Sequence, residues 1–301
     1  MILLKSCPLC GQSALTKQLN CTDYTKSLEK FTIVSCETCG FTFTNPRPED
    51  SKIGEYYKSE MYISHTNSKQ GLFNWLYQKV RSYSIQKKVG LLKKTAVIGK
   101  HLDIGCGTGE FLNACAKAGF KTEGVEPSPI ARKQAVDNYN LSVNDNTDLS
   151  LYKKSEFNSI TMWHVLEHIT DLHKTLFNIN RILSDNGRLV IAVPNHKSWD
   201  AHYYKEYWAA WDVPIHLWHF SQDTIEKLLN KNNFKLVLKK GMIFDSYYVS
   251  ILSEEFKSGR KSFIMGLIIG LASNLFGLLT KRGYSSMIYV FEKKNKHLKQ
   301  L

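Results

Sequence analysis

The stretch HLDIGCGTGEFL, from His101 to Leu112, is the part of the sequence that decides the predicted fold. A short apolar run, HLDIG, has the composition of a buried strand, and three glycines then follow in the spacing GxGxG. A loop of this kind lets a ligand lie against bare backbone, because glycine has no Cβ to hold it away. The spacing is one residue shorter than the GxGxxG pattern of dinucleotide-binding folds, so the loop alone does not identify its ligand.

Strands and helices are predicted to alternate from His101 onward. The predicted strands are HLDIG, KTEGVEP, LSVND, FNSITMWHV, RLVIAVPN, FKLVLKKGMIF and SSMIYVFEKK. Between them, one helix closes at Gly119, the next has Pro129 in its first turn, DLHKTLFNINRILSDNG forms a helix that ends at Gly187, and Ser221 caps a later one. This alternation predicts an α/β fold, an open and mostly parallel sheet with helices on both faces. Ligands of such sheets bind at the carboxyl ends of the strands.

Three acidic residues near predicted strand ends suggest what the glycine loop binds. Asp103 lies within the strand before the loop, and Glu126 ends the second strand, where a carboxylate can accept both hydroxyls of a ribose. Asp145 lies at the end of the third strand, where it could accept the exocyclic amine of an adenine. Together they suit a ligand that has an amino-acid end, a ribose and a base but no phosphate.

In these residues the chain resembles the class I S-adenosylmethionine-dependent methyltransferases. The matching segments are, in order, LDIGCGTGEFL, GVEPS, ITMWHVLEHITD and GRLVIAVPN, over about residues 100–195. The resemblance implies a Rossmann-like seven-stranded sheet with an antiparallel last strand, S-adenosylmethionine as cofactor, and methyl transfer as the reaction. Carried over by position, it implies that the cofactor is contacted by Asp103, Gly105, Cys106, Gly107, Glu126, Asp145 and His164.

Two cysteine pairs, CPLCG and CETCG, lie near the start of the sequence with 25 residues between them, Gly11 to Ser35. Each pair places two thiolates on a tight turn, and four thiolates satisfy a tetrahedral Zn²⁺ with no open position. We therefore expect a structural zinc in a zinc-ribbon-like segment, with a redox role as the alternative. The expected ligands are Cys7, Cys10, Cys36 and Cys39.

The segment HVLEH, His164 to His168, matches the HxxEH pattern of some zinc peptidases. That pattern requires a helix, whereas SITMW leads in as a strand, so we predict a loop over the cofactor instead. Three histidines are candidate general bases, should the acceptor have to lose a proton. The alternative is that they pack or cap beside tryptophans, and the three are His168, His216 and His219.

An uncharged apolar segment, FIMGLIIGLASNLFGLLT, runs from Phe263 to Thr280 between two basic pairs, Arg260-Lys261 and Lys281-Arg282. It lies between two strands of one predicted sheet, which a single membrane crossing would separate. We expect it to lie on a membrane surface, dip into the membrane or cover the substrate pocket; a buried core helix or a dimer contact is the alternative. Its small or polar stripe, expected to face the domain, is Gly266, Gly270, Ser273, Asn274 and Gly277.

The formal net charge is +13, from 40 Lys and Arg against 27 Asp and Glu, which favours anionic partners. We divide the chain into a zinc-ribbon-like domain (1–48), a helical cap or linker (49–98) and a methyltransferase domain (99–301) with an apolar insert (260–282). The opening residues do not form a secretory signal, and the cysteine pairs suit a reducing compartment, so we expect a cytoplasmic protein, peripheral on the inner membrane face.

The predicted function is methyl transfer to a small molecule, a glycan or a lipid-linked precursor. The segment WDVPIHLWHFS supports this, because it resembles one common to many small-molecule methyltransferases. One alternative is an RNA methyltransferase that uses the ribbon and the acid-free basic segment 69–100 to hold RNA. Another is a non-catalytic scaffold that binds S-adenosylmethionine. A homodimer is left open.

Overall fold

A computed structural model describes residues 1–57 and 72–294 of the chain, with the backbone alone for 72–77. The strands are β1 (Leu15–Thr22), β2 (Lys30–Cys36), β3 (Thr42–Thr44), β4 (Lys100–Ile104), β5 (Lys121–Val125), β6 (Val143–Asn144), β7 (Phe157–Trp163), β8 (Leu183–Pro194), β9 (Trp218–His219), β10 (Phe234–Gly241) and β11 (Ser286–Lys293). The α-helices are α1 (Leu72–Thr95), α2 (Glu110–Lys117), α3 (Pro129–Tyr139), α4 (Leu172–Ile182), α5 (Trp199–Tyr204), α6 (Gln222–Lys231), α7 (Asp245–Ser258) and α8 (Phe263–Leu279).

The large sheet has seven strands in the order β10-β11-β8-β7-β4-β5-β6. Strands β4 to β8 pair in parallel, and β11 pairs antiparallel with both β8 and β10. The predicted α/β class, the seven strands and the antiparallel last strand are therefore confirmed. The glycine loop follows β4, where the strand order reverses: β5 and β6 lie on one side of β4, and β7 and β8 lie on the other.

Helices cover both faces of this sheet. Leu189 and Ile191 of β8 belong to one buried cluster together with residues of α4 and α6. Val190 and Ala192 of the same strand belong to a second cluster together with residues of α1 and α2. Because successive side chains of a strand point to opposite faces, these two clusters are the two cores of a three-layer sandwich.

Helix α4 ends earlier than the sequence suggested. We expected it to run to Gly187, but it ends at Ile182, and Leu183 is already extended and pairs with Phe157 of β7. The expectation was wrong because a glycine was taken as the stop signal, whereas pairing between strands decides the boundary. The predicted cap of α6 is confirmed, since Ser221 and Thr224 form a reciprocal capping box.

The small sheet has the strand order β1-β2-β3-β9, and its last strand comes from a distant part of the sequence. Thr42 of β3 pairs with His219 of β9. The cysteine end of this sheet also contacts the large domain: Nε2 of His173 in α4 lies 3.0 Å from the Pro8 carbonyl oxygen. The division of the chain into three domains stays a prediction.

Helix α8 packs through its small residues, as predicted. The predicted stripe is buried, and its first part packs against α7, where a Cβ on Gly266 would lie 2.7 Å from the Cα of Ile251 and one on Gly270 would lie 2.8 Å from the Cα of Tyr247. The opposite side, here called the apolar face of α8, is exposed by 40–79% at each residue, which excludes a buried core helix. The apolar face consists of Phe263, Ile264, Met265, Leu267, Ile268, Leu271, Leu275, Phe276, Leu278 and Leu279.

Within residues 1–57 and 72–294, no helix combines the length and the apolar character that a membrane crossing needs.

Candidate functional site

The glycine loop bends back over the end of β4 in a conformation that depends on its glycines. Gly105, Gly107 and Gly109 have φ values of +71°, +55° and +86°. A Cβ on Gly105 would lie 2.5 Å from a methyl carbon of Val165, so the loop after β7 touches the glycine loop here. The buried thiol of Cys106 also lies in this loop, and burial raises the pKa of that thiol. The loop therefore exposes backbone at a place where a larger residue would not fit.

Glu126 ties the glycine loop to the end of β5. One carboxylate oxygen accepts a hydrogen bond from the Gly107 N–H at 2.8 Å, and the other accepts from the Ser128 N–H at 2.9 Å. Burial raises the pKa of Glu126 despite these two amide donors. The structure thus brings the predicted ribose-binding carboxylate directly to the predicted glycine loop.

Asp145 lies at the outer edge of this region and its side chain is 71% exposed. Arg132 connects it to Glu126, since the guanidinium donates to the Glu126 carbonyl at 2.8 Å and lies 3.3 Å from the Asp145 carboxylate. Arg132 was not among the residues predicted for the site from the sequence. Its position in the first turn of α3, six residues after Glu126, was the available signal.

Asp103 is buried beneath the glycine loop, where it accepts a hydrogen bond from the Thr161 hydroxyl of β7. Burial raises the pKa of Asp103 to about 7. Lys88 of α1 acts electrostatically on Asp103 and places its ammonium 4.3 Å from the centre of the Trp163 ring. No local pattern in the sequence points to Lys88, because the approach of its side chain depends on how α1 packs against the sheet.

His164 follows β7 with a positive φ of +55° and lies between two carboxylates. Its Nδ1 is 3.4 Å from Glu167 and its Nε2 is 3.1 Å from Asp245 at the start of α7. Burial opposes the charged form, but the carboxylates of Asp245 and Glu167 outweigh it and raise the pKa of His164 to about 9. His164 is therefore an imidazolium at neutral pH, and Asp245 is a partner that the sequence analysis missed.

The loop after β7 contains a single short 3₁₀ turn, Leu166–His168, rather than an α-helix. The predicted loop is thus confirmed, and the helical geometry of a zinc peptidase is absent from this segment. The turn places His168 next to His216, with ring centroids 4.6 Å apart. Metal binding is also open to a group of three residues, each of which has one ligand atom within 4.8 Å of the ligand atoms of the other two. These residues are Glu167, His168 and His216.

His219 lies apart from that pair, at the junction with the small sheet. Its Nε2 is 3.0 Å from the Thr44 hydroxyl, and its ring packs edge-on to Trp211 with centroids 4.9 Å apart. Burial lowers the pKa of His219 well below its usual value. These contacts favour the alternative in which His219 packs beside a tryptophan over a role of His219 as a general base.

The four cysteines of the two pairs come together at the end of the small sheet. Their sulfur atoms all lie within 4.8 Å of one another, and tetrahedral Zn–S bonds of about 2.3 Å would place them about 3.8 Å apart. The turns are closed by Gly11 and Gly40, whose amides donate to the carbonyls of Cys7 and Cys36 at 2.8 Å each. The cluster therefore fits a structural zinc.

Comparison with known proteins gives one matching family. A family model described as a methyltransferase domain matches residues 77–239. Over 97 residues the chain is 31% identical to an uncharacterized methyltransferase of Alkaliphilus oremlandii, a match that covers 31% of the chain and 45% of that protein. Over 124 residues it is 32% identical to a ubiquinone biosynthesis O-methyltransferase of Actinobacillus pleuropneumoniae, covering 38% of the chain and 51% of that protein. The chain thus spans about half the length of these curated relatives.

A solved structure shows the same fold. The magnesium protoporphyrin IX methyltransferase of Synechocystis PCC 6803 with bound SAH aligns with 81% of this chain and 100% of its own, with a TM-score of 0.53 and 13% identity.

Proposed function

The chain belongs to the methyltransferase-domain family, and on this premise we propose that it transfers the methyl group of S-adenosylmethionine to a small-molecule acceptor, a glycan or lipid-linked precursor, at an anionic membrane surface. The observation that carries the transferase assignment is the glycine loop after β4, joined to the carboxylate of Glu126. The acceptor class rests on the apolar face of α8.

The cofactor would lie across the carboxyl ends of β4, β5 and β7. Gly105 and Gly107 would contact the methionine portion and Asp103 would support its ammonium group. Glu126 would exchange its loop amides for ribose hydroxyls, Asp145 would reach the adenine, and His164 would flank the sulfonium side with Cys106 beneath. The bound cofactor supplies an activated methyl group, so holding the acceptor in line contributes much of the rate. The residues proposed for the cofactor are Asp103, Gly105, Cys106, Gly107, Glu126, Asp145 and His164.

The acceptor would enter beside the segment between α5 and β9. A small depression there, of about 10 Å³, is lined by Trp208, Trp211 and Asp212 together with residues of the small sheet, and it would have to widen to admit an acceptor. His168 and His216 border this segment, and burial lowers the pKa of each, to about 4 for His168, so both rings are neutral at pH 7. A neutral imidazole can accept a proton from a hydroxyl acceptor. Of the three predicted bases, His168 and His216 are thus better placed than His219 to act on the acceptor, either as a base or as metal ligands.

Contact with a bilayer would use the apolar face of α8. Ten large apolar side chains on one helix side form a patch of the kind that marks an interaction surface. Arg260 and Lys261 precede the helix and Lys281 and Arg282 follow it, where they would meet lipid phosphates. The segment 260–282 follows α7 and leads into β11 of the large sheet, so a helix that lies in the interface, rather than one that crosses the membrane, suits its connections.

RNA is the less favoured acceptor because cations of the basic segment 69–100 already have partners. Arg81 pairs with Glu110 at 2.6 Å, and Lys88 points inward over Trp163. The side chains of residues 69–77 of this segment lie outside the described residues. The zinc-ribbon-like segment is proposed to be structural, with zinc at the four cysteines, and a homodimer stays a prediction.

Labelled methyl donor, added to cell extracts with and without the protein, tests the function. We expect label in lipid-extractable or sugar-containing material, and none with the matched variant Glu126→Ala. Label in RNA would favour the RNA alternative. Absence of transfer despite binding of S-adenosylhomocysteine in calorimetry would favour the scaffold alternative.

A further inference from the structure

We propose that Glu167, His168 and His216 bind one divalent first-row transition-metal ion, separate from the zinc at the cysteines, and that this ion holds an oxygen of the acceptor. The inference deepens the proposed function, on which its catalytic part rests. The metal site itself stands on geometry alone.

The fold fixes the three residues relative to one another. Glu167 and His168 belong to the 3₁₀ turn after β7, and His216 comes just before β9. The two segments are joined by a backbone hydrogen bond from the Leu217 N–H to the Glu167 carbonyl at 2.9 Å. Ligands at about 2.1 Å from one ion lie about 3 to 4 Å apart. One ligand atom of each residue lies within 4.8 Å of the other two, so side-chain rotation would be needed to close the group around an ion.

Both histidines present a lone pair because backbone carbonyls fix their tautomers. Nδ1 of His168 lies 3.0 Å from the Ile215 carbonyl oxygen and 3.0 Å from the Tyr57 hydroxyl, which can also accept, and Nδ1 of His216 lies 2.9 Å from the Ala210 carbonyl oxygen. A carbonyl oxygen only accepts, so each Nδ1 carries the proton and each Nε2 has the free lone pair. Metal-binding histidines typically have this second hydrogen bond, which orients the ring.

Glu167 is a buried carboxylate whose oxygens have no hydrogen bond of good geometry among the described residues. The residue is fully buried, and neither carboxylate oxygen accepts a hydrogen bond from the described part of the chain. Its charged neighbour, His164, lies 3.4 Å from one oxygen and also pairs with Asp245. Leaving a buried charge so poorly solvated costs free energy, which a cation would recover.

The ligand set indicates the class of metal. Two imidazoles and one carboxylate suit Mn²⁺, Fe²⁺, Co²⁺ or Zn²⁺ better than Mg²⁺, which prefers oxygen ligands only. Three protein ligands leave coordination positions open for water or substrate, unlike the four-thiolate site. The carboxylate of Asp212, 3.8 Å from Nε2 of His216, is placed to accept a hydrogen bond from a group bound there.

Such an ion would assist transfer to a hydroxyl. Binding the acceptor oxygen lowers the pKa of its hydroxyl, and the proton leaves to solvent or to Asp212. The oxygen then forms a bond to the methyl carbon while the C–S bond breaks. The electron pair of the broken C–S bond stays on sulfur, which becomes part of a neutral thioether. The substrate class is an acceptor whose reacting oxygen can bind a metal.

Electron paramagnetic resonance of added Mn²⁺ tests the site in the full chain with its zinc in place. Mn²⁺ competes poorly for thiolates, so it reports on the second site only. We expect one Mn²⁺ per chain, and at least tenfold weaker binding in Glu167→Gln and in His216→Gln. The matched control His202→Gln, which changes an exposed histidine of α5, should bind Mn²⁺ as the wild type does.

Two results would overturn the proposal: absence of a bound Mn²⁺ at millimolar concentration in the wild type, or equal binding in Glu167→Gln. Calorimetry with S-adenosylhomocysteine checks that each variant is folded, and His168→Gln replaces any variant that is not. If Mn²⁺ binds but methyl transfer is absent, the proposed function fails while the metal site stands.

Discussion

Replacing Ile264 and Leu271 with serine should weaken binding of the chain to anionic vesicles about 30- to 100-fold. These residues lie on the apolar face of α8, with 73% and 52% of their surface exposed. Moving one whole Leu or Ile side chain out of water contributes about 1.5–3 kcal/mol. The exposed fractions of the two side chains add up to slightly more than one whole side chain. Their replacement therefore removes about 2–3 kcal/mol of binding free energy, and each 1.4 kcal/mol corresponds to a tenfold change in affinity.

Co-sedimentation with vesicles of 30% anionic lipid, at protein concentrations far below lipid, measures this change. Leu151→Ser is the matched control, because Leu151 is 72% exposed on a turn after β6, away from α8. Charge reversal in Lys281→Glu/Arg282→Glu should weaken binding on anionic vesicles but not on neutral ones. Equal binding by the wild type and the Ile264/Leu271 double variant would refute membrane contact through α8. If the wild type instead elutes as a dimer that the double variant loses, the apolar face of α8 is a contact between copies.

Three further predictions concern the interior of the protein. Gly105→Ala should abolish binding of S-adenosylhomocysteine in calorimetry while the chain stays folded, because a Cβ at φ +71° would overlap Val165. An unchanged affinity would show that the glycine loop does not contact the cofactor. Cys36→Ser should release the zinc measured by mass spectrometry and lower the unfolding free energy by several kcal/mol; retained zinc would contradict the four-thiolate site. Asp103 has a raised folded pKa of about 7, so its contribution to stability is present below about pH 4 and is lost as the pH rises through 7. Asp103→Asn should therefore raise the urea midpoint at pH 8 and approach the wild type at pH 4, and a pH-independent difference would contradict the buried carboxyl.

Local sequence determined much of the fold in this protein. The strand HLDIG, the glycine loop and the Ser221 cap were predictable because each depends on residues a few positions apart. The stripe of α8 was predictable for the same reason, since helical spacing alone decides which residues share a side. The end of α4 was not predictable, because pairing of Leu183 with Phe157 outweighs the helix signals that follow.

The site was predictable only where its residues follow strand ends. Glu126 and Gly107 meet because parallel strands place their carboxyl ends side by side. Lys88 and Asp245 reach the same region from α1 and α7, whose packing no local pattern encodes. The pairing of β3 with β9, which brings His219 to Thr44 and away from His168, is likewise a contact between distant segments.

A buried set of contacts links the small-residue stripe of α8 to the histidine pair. Ser273 of α8 donates to Asp200 at 2.6 Å, and the indole of Trp208 donates to the other oxygen of that carboxylate at 2.8 Å. Trp208 packs edge-on to Trp211, and the intervening Ala210 carbonyl fixes the ring of His216. A helix that rests on lipid would therefore set the height of the acceptor cleft above the membrane through packed side chains. We expect anionic vesicles to stimulate transfer by the wild type. Asp200→Ala should uncouple the two regions, so that vesicles no longer stimulate transfer although vesicle binding persists. Stimulation that survives this change would show that the membrane acts only by concentrating the acceptor.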